Sequence, residues 1–348
     1  VEAAQKTGIA LDYSSAPKNF IMKNIAKKFH ARGLKISALA TLICGLTLPA
    51  HAEPADLPEY EATSGISGTL NAVGSDTMTN LMALWADGFE SLYPNVTIQT
   101  QGAGSSTAPP ALIEGTAQLG PMSRAMKQEE IDHFQSKFGY SPTRVRVAID
   151  ALAVFVHKDN PIQGMTLREL DSIYSSTLKR GGEAINTWGG LGLEGDWSNR
   201  PISLYGRNSA SGTYGFFKDV ALAGGDFKNS VKEQPGSSSV VQGIASDLYA
   251  IGYSGIGYQT SGVKALPIGL EEGNAAEPTL ENCLSGDYPL ARFLYVYVNK
   301  KPNQPLDKTT LEFIKYVLSR QGQTAVSRDG YYPVPEVVAT EDINSLTN

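Results

Sequence analysis

Cysteine is nearly absent, histidine is sparse, positive charge is in deficit and no apolar run is long. The 348 residues include two cysteines, Cys44 and Cys283, too few for a disulfide framework or a four-ligand thiolate zinc site. Four histidines are present, and none falls in a His-Glu-x-x-His or comparable metal spacing. Lys and Arg number 29 against 35 Asp and Glu, a net charge of -6, which disfavours a nucleic-acid binder driven by bulk positive charge. The longest apolar stretch, Ile36 to Leu48, is shorter than the roughly 20 residues that span a bilayer.

What is there begins with that stretch. It follows a basic segment carrying Lys23, Lys27, Lys28, Arg32 and Lys35, and it precedes Ala50-His51-Ala52. A charged head, an apolar middle and a small-x-small end predict a secretory signal peptide cut after Ala52, with residues 1–21 as upstream sequence ahead of Met22. Cleavage leaves 22 basic and 33 acidic residues, a net charge of -11, so the exported protein is acidic. Cys283 is then the lone thiol, expected as a small buried hydrophobe rather than a reactive group. The 41% hydrophobic and 18% charged composition is that of a globular chain, and its length predicts two domains.

Residues 53–67 are proline-bearing and acidic without a period, and read as a flexible leader. From Gly68 onward, strand-like and helix-like runs alternate, the α/β signature. Strands are expected at Thr69–Val73 and Val96–Thr100. Leu81, Leu84, Trp85, Phe89 and Leu92 fall at helical spacing. Further helices are expected from Ser105 to Gly115, from Lys127 to Lys137 and from Leu306 to Gln321, and Thr166-Leu167-Arg168-Glu169 is a capping box. Leu152–Val156 and Leu294–Val298 are similar apolar strands, each with a polar-Lys-Pro exit. They suggest two crossovers, near Ala148–Leu152 and Tyr288–Arg292. The first lobe would then be 68–149 with 289–348, and 150–288 the second.

Three stretches share one pattern of glycine and hydroxyl residues between a strand and a helix: Gly74-Ser75-Asp76-Thr77, Gly102-Ala103-Gly104-Ser105-Ser106-Thr107, and Arg207-Asn208-Ser209-Ala210-Ser211-Gly212-Thr213. Each can offer backbone N–H groups and a hydroxyl at a helix start, where an anion is favoured. Each, taken singly, is also explained by ordinary helix capping. Two in the first lobe and one in the second fit a cleft that closes on a small oxyanion. Arg207 adds a guanidinium able to hold two oxygens at once. Arg124 is a second cationic candidate, otherwise a solvated surface charge. A hydrolase of phosphate esters is the rival reading, but it needs a nucleophile with a base or metal ions. Beyond Ala52 only His133 and His157 remain, and His157 reads as a surface residue at a strand end.

Gln101-Gly102-Ala103-Gly104-Ser105-Ser106, with Arg207-x-x-x-Ser211-Gly212-Thr213 about a hundred residues on, resembles the periplasmic phosphate-binding proteins that feed ABC transporters. The similarity runs from Gly74 to about Pro335. It implies an α/β, two-lobe, Venus-flytrap fold of type II with two crossover strands, a periplasmic location, ABC permease subunits as partners, a monomer, no cofactor and no reaction. The family's ligand-contacting positions match Ser105, Arg207, Ser211, Gly212 and Thr213, and its first contact loop matches the Gly74 to Thr77 turn, with Ser75, Asp76 and Thr77; Ser106 and Ser123 are further candidate phosphate ligands. Long family members carry a carboxylate where this chain has Ser123, in Gly120-Pro121-Met122-Ser123-Arg124. Such a carboxylate would accept the proton of hydrogen phosphate and separate it from sulfate. Asp76 is the nearest substitute, with a helix-capping role as the alternative. Sulfate and molybdate remain open as other tetrahedral ligands.

Overall fold

The computed structural model describes residue 54 and residues 56–347; the expected signal peptide and its cleavage point lie outside the described residues. Strands and helices alternate as the sequence suggests. β1 (Gly68–Gly74) pairs in parallel with β2 (Val96–Gly102), and between them runs α1 (Thr79–Leu92). Burial of Leu81, Met82, Trp85, Ala86 and Phe89 along one face of α1 explains the helical spacing of its apolar residues. α2 (Ala108–Glu114) starts with prolines in its first turn and stops at Gly115, which adopts φ 73°. β3 (Gly120–Met122) and α3 (Gln128–Phe138) follow.

β4 (Thr143–His157) is the spine of the molecule. Its residues from Val147 to Val156 are all buried, the continuous apolar run of a strand covered on both faces. Along its first part it pairs with β11 (Ala291–Val298), from Thr143↔Val298 to Ala151↔Ala291. From Leu152 onward it pairs instead with β8 (Ala250–Gly255), Leu152 opposite Gly255. The partner thus changes between Ala151 and Leu152. Around β8 lie β6 (Ser203–Arg207) and β7 (Lys232–Gln234), giving a seven-stranded sheet in the order β3-β11-β4-β8-β6-β7, with β9 (Val263–Ala265) also on β4. A small second pair, β5 (Met165–Thr166) with β10 (Ile268–Gly269), flanks α4 (Leu167–Tyr174), whose N-terminus carries the expected capping box between Thr166 and Glu169.

α5 (Gly212–Val220) and α6 (Ser237–Ala245) follow β6 and β7; α7 (Leu280–Ser285) precedes β11. Two expectations need correction. The helix expected over 306–321 is two helices, α8 (Lys308–Val317) and α9 (Arg320–Arg328). Ser319 interrupts them: its hydroxyl accepts the Gly322 N–H and starts the new helix, a cap signal hidden inside an apolar periodicity. Nor is the segment before β1 loose. Leu57 and Ile66 are buried, the Arg320 N–H donates to Pro58 O at 2.8 Å, and Tyr60 Oη donates to Glu312 Oε2 at 2.8 Å while its ring meets Tyr316 edge-on. The described part of the leader is therefore packed on α8 and α9. Its lack of periodicity reflects irregular backbone, not absence of contacts. The chain closes with α10 (Glu336–Thr347) against β4. Cys283 is fully buried in the main core, and burial pushes its thiol pKa up, as an inert packing residue requires.

Candidate functional site

The C-terminal ends of β1, β2, β3 and β6 converge on one place, and the three glycine-hydroxyl stretches meet there. The β1 exit delivers Ser75, the β2 exit Ser105 and the β3 exit Ser123. All three are buried, and their hydroxyls form a chain: Ser75 Oγ donates to Ser123 Oγ at 3.0 Å, Ser123 Oγ and Ser105 Oγ lie 3.2 Å apart, and the Ser123 N–H donates to Ser105 Oγ at 3.0 Å. Neither Ser75 nor Ser105 caps its own helix. The capping alternative fails at both.

The opposite wall comes from the loop between β6 and α5. There Ser211 does cap, accepting the N–H groups of Thr213 and Tyr214, so the ordinary explanation holds at this one stretch. The two walls touch. Thr77 Oγ1 and Thr213 Oγ1 are 2.8 Å apart, and Ser106 reaches Ala210 O through both its N–H, at 3.2 Å, and its hydroxyl, at 3.1 Å. Two glycines make this approach possible. Gly104 sits at φ 110°, and a Cβ there would lie 2.6 Å from Ala210 O. A Cβ on Gly212 would stand 2.3 Å from Ser105 Oγ and 2.7 Å from Ser123 Oγ.

Arg207 ends β6 at 1% exposure. Its Nη1 donates to Ser237 Oγ at 2.7 Å and its Nη2 to Pro235 O at 3.0 Å, with Asp76 Oδ2 3.1 Å from Nη2. Its Nε is buried without a partner. Burial pulls the guanidinium pKa below its ordinary value, and the neighbouring Asp76 opposes that pull. Arginine nevertheless stays charged. A buried cation with an unused donor is costly, and such a donor is best matched by an anionic oxygen.

Asp76 is not a cap for its own helix. Its Oδ2 accepts the Ser237 N–H at 2.9 Å, at the first residue of α6, as well as facing Arg207. The carboxylate therefore caps a helix across the cleft. The expectation for Arg124 also changes. It is 9% exposed, not solvated, and both its Nη atoms grip Glu130, at 2.7 and 2.6 Å. That bidentate pair takes it out of the site. His157 lies away from this place, its Nδ1 accepting the Asp159 N–H at 3.2 Å.

The sequence reading missed Arg292, Asp150 and Ser237. Arg292 on β11 stands opposite Asp150 on β4 in the ladder. Each is a charge inside an otherwise apolar strand run, and buried charges need partners. That signal was available. Ser237 had none, since it is one serine in a run of three. A surface groove of about 1060 Å³ beside Thr166, Glu183 and Glu271 shares no residue with the site.

A partner-switching spine strand, sheet ends that converge from both sides and a cleft lined with donors define a two-lobe α/β solute-binding protein of the type II architecture. A family model described as the PBP superfamily domain matches residues 60–321. The phosphate-binding protein PstS of Pseudomonas aeruginosa is 58% identical over 292 residues, 83% of this chain and 90% of that protein. PstS of Staphylococcus haemolyticus is 28% identical, covering 81% of this chain and 86% of that one. Among solved structures, a Clostridium perfringens protein crystallised with bound phosphate, provisionally described as a phosphate ABC transporter substrate-binding protein, matches with a TM-score of 0.66 at 26% identity. That match covers 77% of this chain and all of that one. The chain belongs to the PBP superfamily and, within it, to the family of the PstS phosphate-binding proteins.

Proposed function

We propose that this chain is an exported, non-enzymatic carrier that captures inorganic phosphate between its lobes and hands it to an ABC permease. The observation that carries the reading is Arg207: a buried guanidinium whose Nε has no protein partner, paired with Asp76, the neighbour of Ser75, whose hydroxyl begins the chain through Ser123 to Ser105. Arg207, Ser75, Thr77, Ser105, Ser106, Ser123, Ser211, Gly212 and Thr213 hold the anion. Asp76 sets its protonation state by accepting the hydrogen of hydrogen phosphate. The binding described for the Clostridium relative and the name of the Pseudomonas relative support phosphate over sulfate or molybdate. In an acidic chain the affinity comes from these dehydrated local donors, not from bulk attraction.

The lobes divide at the partner switch of β4, with 68–149 and 289–348 on one side and 150–288 on the other; the pairing of β11 with the first part of β4 and of β8 with the second supports that division. The protein works as a monomer in the periplasm after cleavage behind Ala52. No described helix is long and apolar enough to cross a membrane. Among described residues no His, Cys, Asp or Glu cluster could hold a metal ion. Native purification, followed by mass spectrometry of the folded protein and a phosphate assay of the released ligand, tests the function. One phosphate per chain supports it, and a protein that neither retains phosphate nor binds it in calorimetry refutes it.

A further inference from the structure

Arg292 and Asp150 lie where β4 changes partner, outside every set of residues assigned above to the anion. Arg292 Nε and Nη2 both donate to Asp150 Oδ2, at 2.9 and 2.7 Å, and Asp150 Oδ1 accepts the Ile256 N–H at 3.0 Å. The remaining donors of the guanidinium reach both walls of the cleft. Nη1 donates to Ser123 O at 2.8 Å, and Nη2 donates to Thr213 Oγ1 at 3.0 Å. The Phe216 ring covers the guanidinium, its centroid 5.3 Å from Cζ.

A guanidinium can only donate. Thr213 Oγ1 must therefore accept from Arg292, which leaves its own hydrogen pointing away from that side chain. The Thr213 N–H is already taken by Ser211 Oγ, so the hydroxyl hydrogen is what this residue can offer a ligand. It now has Thr77 Oγ1 within 2.8 Å. The same guanidinium pins residue 123, whose hydroxyl lies between Ser75 and Ser105. Asp150 balances the charge, so the pair orients hydroxyls and does not itself attract an anion.

We infer that Arg292, anchored by Asp150, is a positioning residue that fixes Thr213 as a hydrogen-bond donor towards the bound anion and registers the two walls against each other. The inference rests on the phosphate reading above. Calorimetry with inorganic phosphate on the exported chain tests it, using Arg292→Lys, Thr213→Val, Thr213→Ser and the Arg292→Lys/Thr213→Val double variant. Lysine keeps the charge but cannot hold Asp150, Ser123 and Thr213 in one plane. Expected results are a loss of about tenfold or more for Arg292→Lys and for Thr213→Val, and a clearly smaller loss for Thr213→Ser, which keeps the hydroxyl that donates. The double variant should be within about threefold of the weaker single one, because both remove the same donation. If melting shows that Arg292→Lys does not fold, Asp150→Asn/Arg292→Gln leaves no lone buried ion and should give the same loss. Affinity within threefold of wild type in the arginine variant, or penalties that multiply in the double variant, would overturn the inference. A wild-type protein that binds no phosphate would instead overturn the function on which it rests.

Discussion

Two buried arginines stand on either side of the cleft, and their surroundings differ in kind. Arg292, at the partner switch of β4, spends four of its five N–H donors: two on Asp150, one on Ser123 O and one on Thr213 Oγ1. Arg207, at the end of β6, donates to Ser237 Oγ and Pro235 O and faces a carboxylate that it shares with the Ser237 N–H, but its Nε has no partner. A buried charge whose donors are used inside the protein holds a structure together. One whose Nε is buried and unmatched still has a donor to give to something from outside, because that donor has been taken from water without a replacement acceptor.

The comparison breaks most sharply if the two arginines prove interchangeable. Arg207→Ala removes the buried charge and the charge-assisted contact that its open Nε can offer. Phosphate affinity should fall by roughly 3 kcal/mol or more, about a hundredfold or greater. A change below threefold in calorimetry would put the anion elsewhere. Gly212→Ala attacks the same place by volume, since its Cβ would lie within 2.9 Å of three atoms of Ser105 and Ser123. Overpacking of this kind costs about 1–3 kcal/mol, so a loss of about tenfold or more is expected. Crystals of the variant should show the walls displaced where Ser105 meets Gly212. Native affinity with unmoved walls would show that closure does not depend on this contact.

Asp76 sharpens the comparison because it is the partner that Arg207 does share. Asp76→Asn removes a negative charge beside the guanidinium and turns an acceptor into a group that also donates. Sulfate carries no hydrogen for the carboxylate to accept, so the phosphate-to-sulfate affinity ratio should fall by roughly tenfold in the variant. Competition binding measures it. If Asp76 serves only to cap α6 through Ser237, the ratio stays unchanged and only stability falls, by roughly 0.5–2 kcal/mol.

The legible parts of this molecule were those written locally. Gly115 and Gly139 stop α2 and α3 where glycine after an apolar period says they should, and the three glycine-hydroxyl stretches converge because each follows a strand. What escaped depended on contacts far apart in the chain. Arg124 reads as a surface charge until Glu130 is seen to clamp it. Asp76 looks like a cap for the turn it begins, while its partners Arg207 and Ser237 lie over a hundred residues away. The leader appears loose because its order comes from α8 and α9, which the sequence supplies some 250 residues later.

The smallest expected effect concerns a second pair of unlike neighbours, the carboxylates near the partner switch. Asp150 is fully neutralised by Arg292, whereas Asp329, at the end of α9, has a buried Oδ2 with no partner. Its carbonyl lies against Gly257, and Tyr258 and Tyr331 face its carboxylate without a full charge to balance it. Burial pushes the Asp329 pKa up to about 7. The folded chain therefore binds this proton more tightly than the unfolded chain does. Its neutral form fits the fold, so the stability present below the unfolded pKa, about 4, is progressively lost as pH rises to 7 and stays lost above it. Asp329→Asn keeps the shape of the neutral acid and cannot ionise. After allowance for solvent screening the gain is on the order of 1 kcal/mol, or roughly 2–4 °C in melting temperature at pH 8. Near pH 4 variant and wild type should melt together. Melting curves of both proteins across pH 4–8 decide it: a constant difference would mean that Asp329 ionises as freely in the folded chain as in the unfolded one.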